Sequence, residues 1–116
     1  MNRSFRITNT NDFKRVRREG KSYAHPLMVV ISASGLCENS RVGIITGKSI
    51  GNAVYRNRAR RRLRAILSGM IEQTRSKADL VVIARNPIND ASFVEIQRVL
   101  KSLLIRAGLL EQNVSK

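Results

Sequence analysis

Lys48-Ser49-Ile50-Gly51-Asn52-Ala53-Val54-Tyr55-Arg56-Asn57-Arg58-Ala59-Arg60-Arg61-Arg62-Leu63-Arg64, continued by Ala65-Ile66-Leu67-Ser68-Gly69-Met70, is the stretch from which the fold is read. Asn52 is a good N-cap, and the apolar residues behind it recur at helical spacing, which predicts a helix from 52 to about 75. At ~100° per residue, Arg56, Arg60 and Arg64 form one row and Asn57 and Arg61 the row beside it. Tyr55, Ala59, Leu63, Ile66, Leu67 and Met70 gather on the opposite side. Such a helix needs a partner layer for its apolar face and leaves a contiguous cationic face uncovered.

The flanks supply that layer. Residues 41–46 read as a strand, 47–51 as a loop, and 79–84 as a short buried strand stopped by Asn86-Pro87. Upstream, 27–34 is strand-like and separated from Tyr23-Ala24 by the break at His25-Pro26, with 35–40 a turn. The N-cap residues Thr8, Asn9, Thr10 and Asn11 precede a short helix over 12–19, closed by Gly20 as a C′ glycine. Ser92 caps a last helix in which Phe93, Ile96, Val99, Leu100, Leu103 and Leu104 follow helical spacing up to Gly108. The expected fold is an α/β (α+β) sandwich of order α-β-β-β-α-β-α. It forms one domain over 1–116, with a frayed tail after about 110.

Composition points to the partner. The 116 residues carry 22 Lys and Arg against 8 Asp and Glu, a net charge of +14, with 42% hydrophobic residues for a modest core. Self-repulsion of that size opposes compaction, so the excess serves a polyanion. No apolar run approaches the ~18 residues of a membrane span, and the N-terminal residues lack the apolar region of a signal peptide. Cytoplasmic residence without membrane contact is expected. The single cysteine, Cys37, has no partner for an internal disulfide or for a zinc site. His25 has no nucleophile or carboxylate at catalytic spacing, and the scattered acids form neither a general acid–base pair nor a metal site. No catalytic residue and no metal ligand is expected on the protein.

Seven of the 22 basic residues lie between Lys48 and Arg64, and no acid follows until Glu72. A solvated helix face normally mixes Glu with Lys at i, i+4. Here the cations instead crowd a helix start that is already positive, at a cost of roughly 0.3–1 kcal/mol each. Arg outnumbers Lys six to one, favouring planar, bidentate contacts to phosphate and stacking on bases. Asn57 places an amide among the arginines, able to read a sugar hydroxyl or base edge. Gly51 and Ala53 are small where loop meets helix, allowing close approach of a phosphate, although turn geometry alone would also account for Gly51. Lys48 is positioned to close an anion site at the helix start.

The run 48–64, with Arg56-Asn57-Arg58 at its centre and Gly51-Asn52-Ala53-Val54 just before it, resembles the "RNR" motif of the bacterial ribonuclease P protein family. The similarity extends to Asp12-Phe13, Arg41-Val42-Gly43 and Ile83-Ala84-Arg85-Asn86-Pro87. It implies the non-catalytic subunit of a ribonucleoprotein endonuclease, in which a catalytic RNA removes the 5′ leader of precursor tRNA with Mg²⁺ bound mainly by that RNA. It also implies a protein monomer in a 1:1 complex with the RNA, and a left-handed β-α-β crossover around the motif helix. By the same resemblance Lys48, Gly51, Ala53, Arg56, Asn57, Arg58, Arg60, Arg61 and Arg64 face the catalytic RNA. Phe13, Lys14, Arg17, Val29 and Ile31 would line the leader cleft. Many relatives have aromatics where this chain has Arg17 and Ile31, and lysines at Ser49 and Asn86. The leader site here is therefore expected to lean on charge, with Lys14, Arg15, Arg17 and Arg18 close by. The alternative is a structural nucleic-acid-binding protein of the ribosome or nucleoid.

Overall fold

The structure, a computed structural model, describes residues 3–111. Seven regular elements follow in the expected order: α1 (Thr10–Glu19), β1 (Lys21–His25), β2 (Met28–Ser34), β3 (Arg41–Ile45), α2 (Ala53–Met70), β4 (Ala78–Ala84) and α3 (Phe93–Arg106). Short 3₁₀ turns at Arg3–Phe5, Lys48–Ile50, Ile71–Gln73 and Asn86–Asp90 join them. Leu109 and Leu110 are buried, and all but Glu111 of the tail expected beyond them lies outside the described residues.

The four strands form one sheet in the order β1-β2-β4-β3. β1, β2 and β4 pair antiparallel, whereas β3 and β4 run parallel, so α2 is the crossover between them. The parallel pair requires that long connection, because a tight hairpin can only join antiparallel strands. β2 and β4 alternate across the sheet as pleating demands. Met28 and Val30 of β2, with Leu80, Val82 and Ala84 of β4, face α2 and α3 in the larger core, beside Leu63, Leu67, Ile96, Leu100 and Leu104. Ile31, Ala33 and Val81 face the other way, toward α1 and its Val16. α1 is short and covers this second face incompletely: Phe13, Val29, Ile45 and Ile83 are only partly buried.

An ion-pair cluster fastens α1 to the sheet. Asp79, fully buried on β4, receives Arg41 through two bonds, Nε to Oδ1 at 3.1 Å and Nη2 to Oδ2 at 2.9 Å. Arg15 of α1 donates to the same Oδ2, and Asp12 lies 3.4 Å from Arg41 Nη1. The bonded Asp79 raises the Arg41 pKa although burial opposes it. A buried carboxylate is tolerable only when charges and donors surround it in this way. Arg15 is thus committed to the scaffold, which removes it from the charge expected at the leader site, and Arg18 pairs with the neighbouring Glu19 at 3.1 Å.

Two boundaries differ from expectation. α2 stops at Met70 rather than near 75, because a tighter 3₁₀ turn follows, with Gln73 Nε2 donating to the Gly69 carbonyl and Ile71 turned into the core. Gly20 ends α1 with φ −79°, not in the left-handed conformation of a C′ glycine. Its requirement is space: a Cβ there would stand 2.5 Å from the Val16 carbonyl oxygen and 2.6 Å from Ile31 Cγ2.

Candidate nucleic-acid interface

The entry to α2 is built from backbone requirements. Gly51 has φ +126°, a region that residues with a Cβ avoid, so turn geometry dictates glycine there. Asn52 Oδ1 accepts from the N–H groups of Val54 and Tyr55 at 3.0 and 3.3 Å, as a cap should. The loop ahead is tied from behind: Asn86 Nδ2 donates to the Ser49 carbonyl at 2.9 Å, and Asn89 Nδ2 to that of Ile50 at 2.7 Å. Asn86 is therefore a loop fastener. Lys48, Gly51 and Ala53 are exposed around this start.

Along α2 the two faces separate as expected from Ala59 onward, where Ala59, Leu63, Ile66, Leu67 and Met70 are buried. Tyr55 departs from its expected place. It is 45% exposed, its first-turn neighbours Ala53 and Val54 are exposed as well, and its ring lies beside Gly51. Asn57, Arg58 and Arg61 are exposed, while Arg56, Arg60 and Arg64 are half-buried at the flank of the helix. Arg60 donates to Thr46 Oγ1 at 2.7 Å and to Asn57 Oδ1 at 3.1 Å, so it is held in place and leaves the Asn57 amide group outward as a donor. Every ion pair among the described residues lies on the α1 side; no arginine of α2 has one.

Arg62 behaves differently from its neighbours. Its guanidinium donates to the carbonyls of Ala91 and Ile88 at 2.9 and 2.8 Å, closing the end of the turn before α3. Burial, and secondarily the nearby Arg58, lowers its pKa. The signal for this was present in the sequence: position 62 sits between Ala59 and Ile66 at i, i+3 and i, i+4, on the margin of the apolar face.

The second cluster of expected residues lies on the half-covered face of the sheet. The Phe13 ring rests over Gly43 of β3, and Val29 stands directly opposite Ile83 on the adjoining strands. Arg17, one turn after Phe13, is exposed at the flank, and Lys14 is exposed further round α1. Ile31 is covered by the C-terminal end of α1, at 6% exposure, and forms floor rather than open surface. A small cleft of about 140 Å³ brings Phe13 together with Arg6, Thr8 and Arg64. Arg64 thereby links the cationic face of α2 to the apolar face beside α1, a connection that periodicity within α2 alone could not show. Arg6 precedes every element the sequence predicts and carries no local signal; it reaches the cleft because the N-terminal segment pairs with the edge of β3, at Arg6 and Val42.

The smaller candidates have structural employment. His25 Nδ1 accepts from the Leu27 N–H within the β1–β2 turn. Phe5 packs on the larger core, and Tyr23 lies between Lys21 and Arg106 at 5.8 and 5.9 Å from its centroid. Cys37 is exposed and unpaired in a disulfide. Among the described residues no helix is long and apolar enough to cross a membrane.

Comparison with known proteins matches this arrangement. The Ribonuclease P family model matches residues 1–108. The ribonuclease P protein component of Syntrophomonas wolfei is 32% identical over 116 residues, covering 100% of this chain and 98% of its own. That of Herpetosiphon aurantiacus is 37% identical over 109 residues, covering 94% and 89%. Among solved structures, a mutant Staphylococcus aureus RNase P protein described as defective in mRNA degradation superposes with a TM-score of 0.85 at 30% identity, over 92% and 91% of the two chains. The RNase P protein of Thermotoga maritima gives 0.78 at 28%, over 87% and 96%.

Proposed function

The chain belongs to the ribonuclease P protein family, and from that premise we propose that it binds the catalytic RNA through α2 and the 5′ leader of precursor tRNA through the cleft between α1 and the sheet. The observation that carries this reading is the junction at Arg64. An unpaired cationic face on one side of α2 reaches, at Arg64, a small cleft shared with Arg6, Thr8 and Phe13, and Phe13 in turn borders the partly covered apolar face of the sheet. A single strand leaving a phosphate-rich surface would enter that cleft without crossing an acidic or closed region.

Lys48, Arg56, Arg58, Arg61 and Arg64 neutralise phosphates brought close together by RNA and substrate, with Arg60 braced on Thr46 beside them. Asn57 offers its amide donor to a sugar or base. Gly51 and Ala53 keep the helix start low enough for backbone approach. In the cleft, Phe13 and Val29 contact bases, Ile31 supports them from beneath, and Lys14 and Arg17 hold the strand's phosphates. The protein contributes no reacting group: hydrolysis belongs to the RNA, which binds most of the Mg²⁺, and one protein acts with one RNA in the cytoplasm. Relief of phosphate repulsion lowers the Mg²⁺ concentration the RNA requires.

The test adds the full chain to a bacterial ribonuclease P RNA and precursor tRNA at low Mg²⁺. Leader removal should accelerate at least tenfold and should require both macromolecules. Absence of stimulation would overturn the reading, as would cleavage by the protein without RNA.

A further inference from the structure

A groove of about 510 Å³ runs between α2 and α3, on the layer opposite α1 and apart from the cleft described above. That volume falls within the roughly 300–1,000 Å³ usual for small-molecule sites. Ile66, Met70 and Leu110 form its floor, and Val94 on the α3 wall is 58% exposed. Arg98 and Lys101 stand on the same wall, and no acidic residue lines it. Neither cation makes an ion pair with a described residue. Gln73 donates one amide hydrogen to the Gly69 carbonyl, its oxygen is left to accept, and Gln97 lines the same groove.

Gly69 is a second, separate observation. Glycine inside a helix is unfavourable relative to alanine, and packing does not require it here, since a Cβ at position 69 would meet nothing within 4 Å. What glycine does at this point is keep the α2 wall of the groove low. The wall also continues the arginine row: Arg58, Arg61, Ala65 and Gly69 follow one another at i+3 and i+4, so Arg61 and Gly69 are about 12 Å apart along the axis at 1.5 Å per residue.

We propose that this groove takes an unpaired nucleotide of a single-stranded RNA segment, its base against Ile66, Met70 and Val94 and its adjoining phosphates on Arg98 and Lys101. The class of partner rests on the RNA-binding reading above. The apolar floor accepts the face of a base, the two glutamines offer an acceptor and a free amide to its edge, and the unpaired cations match phosphate. The continuous row from Arg58 to Gly69 favours RNA over an acidic peptide, because one strand can follow it from the cationic face into the groove.

The test is methyl NMR of the full chain titrated with a decauridylate RNA. Methyl signals of Ile66, Met70 and Val94 should shift saturably, and they should still do so in Arg61→Ala. Gly69→Leu, which fills the open wall and suits a helix, should abolish those shifts while leaving the unfolding transition in place. Arg98→Gln with Lys101→Gln, both on the surface, should weaken binding at the groove several-fold and reduce its salt slope by ~1.4. Unmoved methyls at saturation would overturn the proposal. So would shifts produced by hexaglutamate and not by RNA, which would assign the groove to an acidic protein. Unmoved methyls alongside full stimulation of the catalytic RNA would sink the groove alone, whereas lost stimulation with shifted methyls would sink the functional reading and leave the groove.

Discussion

Phe13 and Gly43 are in direct contact: a Cβ built on Gly43 would stand 2.3 Å from Cε1 and 2.5 Å from Cζ of the ring. The glycine on β3 is therefore what lets an aromatic from α1 approach the strand this closely at the cleft.

Gly43→Ala should push the ring off the strand. We expect a stability loss of about 1–3 kcal/mol, the usual cost of overpacking, measured by urea unfolding. Affinity for precursor tRNA should fall while affinity for mature tRNA and for the catalytic RNA stays within twofold. An equal loss for all three would mean that Phe13 does not contact the leader.

Arg61 and Arg62 are adjacent in sequence and should separate cleanly by experiment. Arg62→Ala removes two charged hydrogen bonds to the Ile88 and Ala91 carbonyls and should cost about 1.5–3 kcal/mol of stability. Arg61→Ala should change stability by less than about 0.5 kcal/mol. Its effect should be on RNA binding, whose dependence of log K on log salt should become shallower by ~0.7–0.9. Salt-titrated binding and thermal unfolding of both variants decide the matter.

Asp79→Asn leaves Arg41 and Arg15 facing a neutral group in a buried setting. Removing one member of a buried ionic cluster costs about 3–5 kcal/mol, so this variant should unfold at markedly lower urea. Because the cluster holds α1 to the sheet, hydrogen exchange in α1 should accelerate more than in α3. Uniform acceleration across both helices would show that the cluster does not act locally on α1.

The order of elements was readable because each left a local mark: the apolar run of β2, the Asn52 and Ser92 caps, and the apolar row of α2. The cationic face was readable for the same reason, since the spacing of Arg56, Asn57, Arg60, Arg61 and Arg64 within one helix determines which of them adjoin. What stayed hidden depends on contacts between segments far apart in the chain. Nothing near Arg62 names Ile88 as its acceptor, although its place on the apolar margin hinted at burial. Arg15 and Arg17 look alike in sequence; Asp79, sixty-four residues from Arg15, separates them. Gly20 reads as a positive-φ cap but serves close packing, and a sequence spells the two kinds of glycine identically.

The pairing of the N-terminal segment with β3 has one further consequence. A strand at the margin of a sheet offers unsatisfied amides and carbonyls to any other chain that can lie alongside it. Here the Ile7 N–H bonds to the Val42 carbonyl at 3.0 Å, and Arg6 bridges to Val42. The segment thus acts as a selvedge, finishing the hem where a neighbouring molecule could otherwise be stitched on. In a chain of +14 charge, keeping this edge from pairing with a second copy is as much a requirement of the fold as binding.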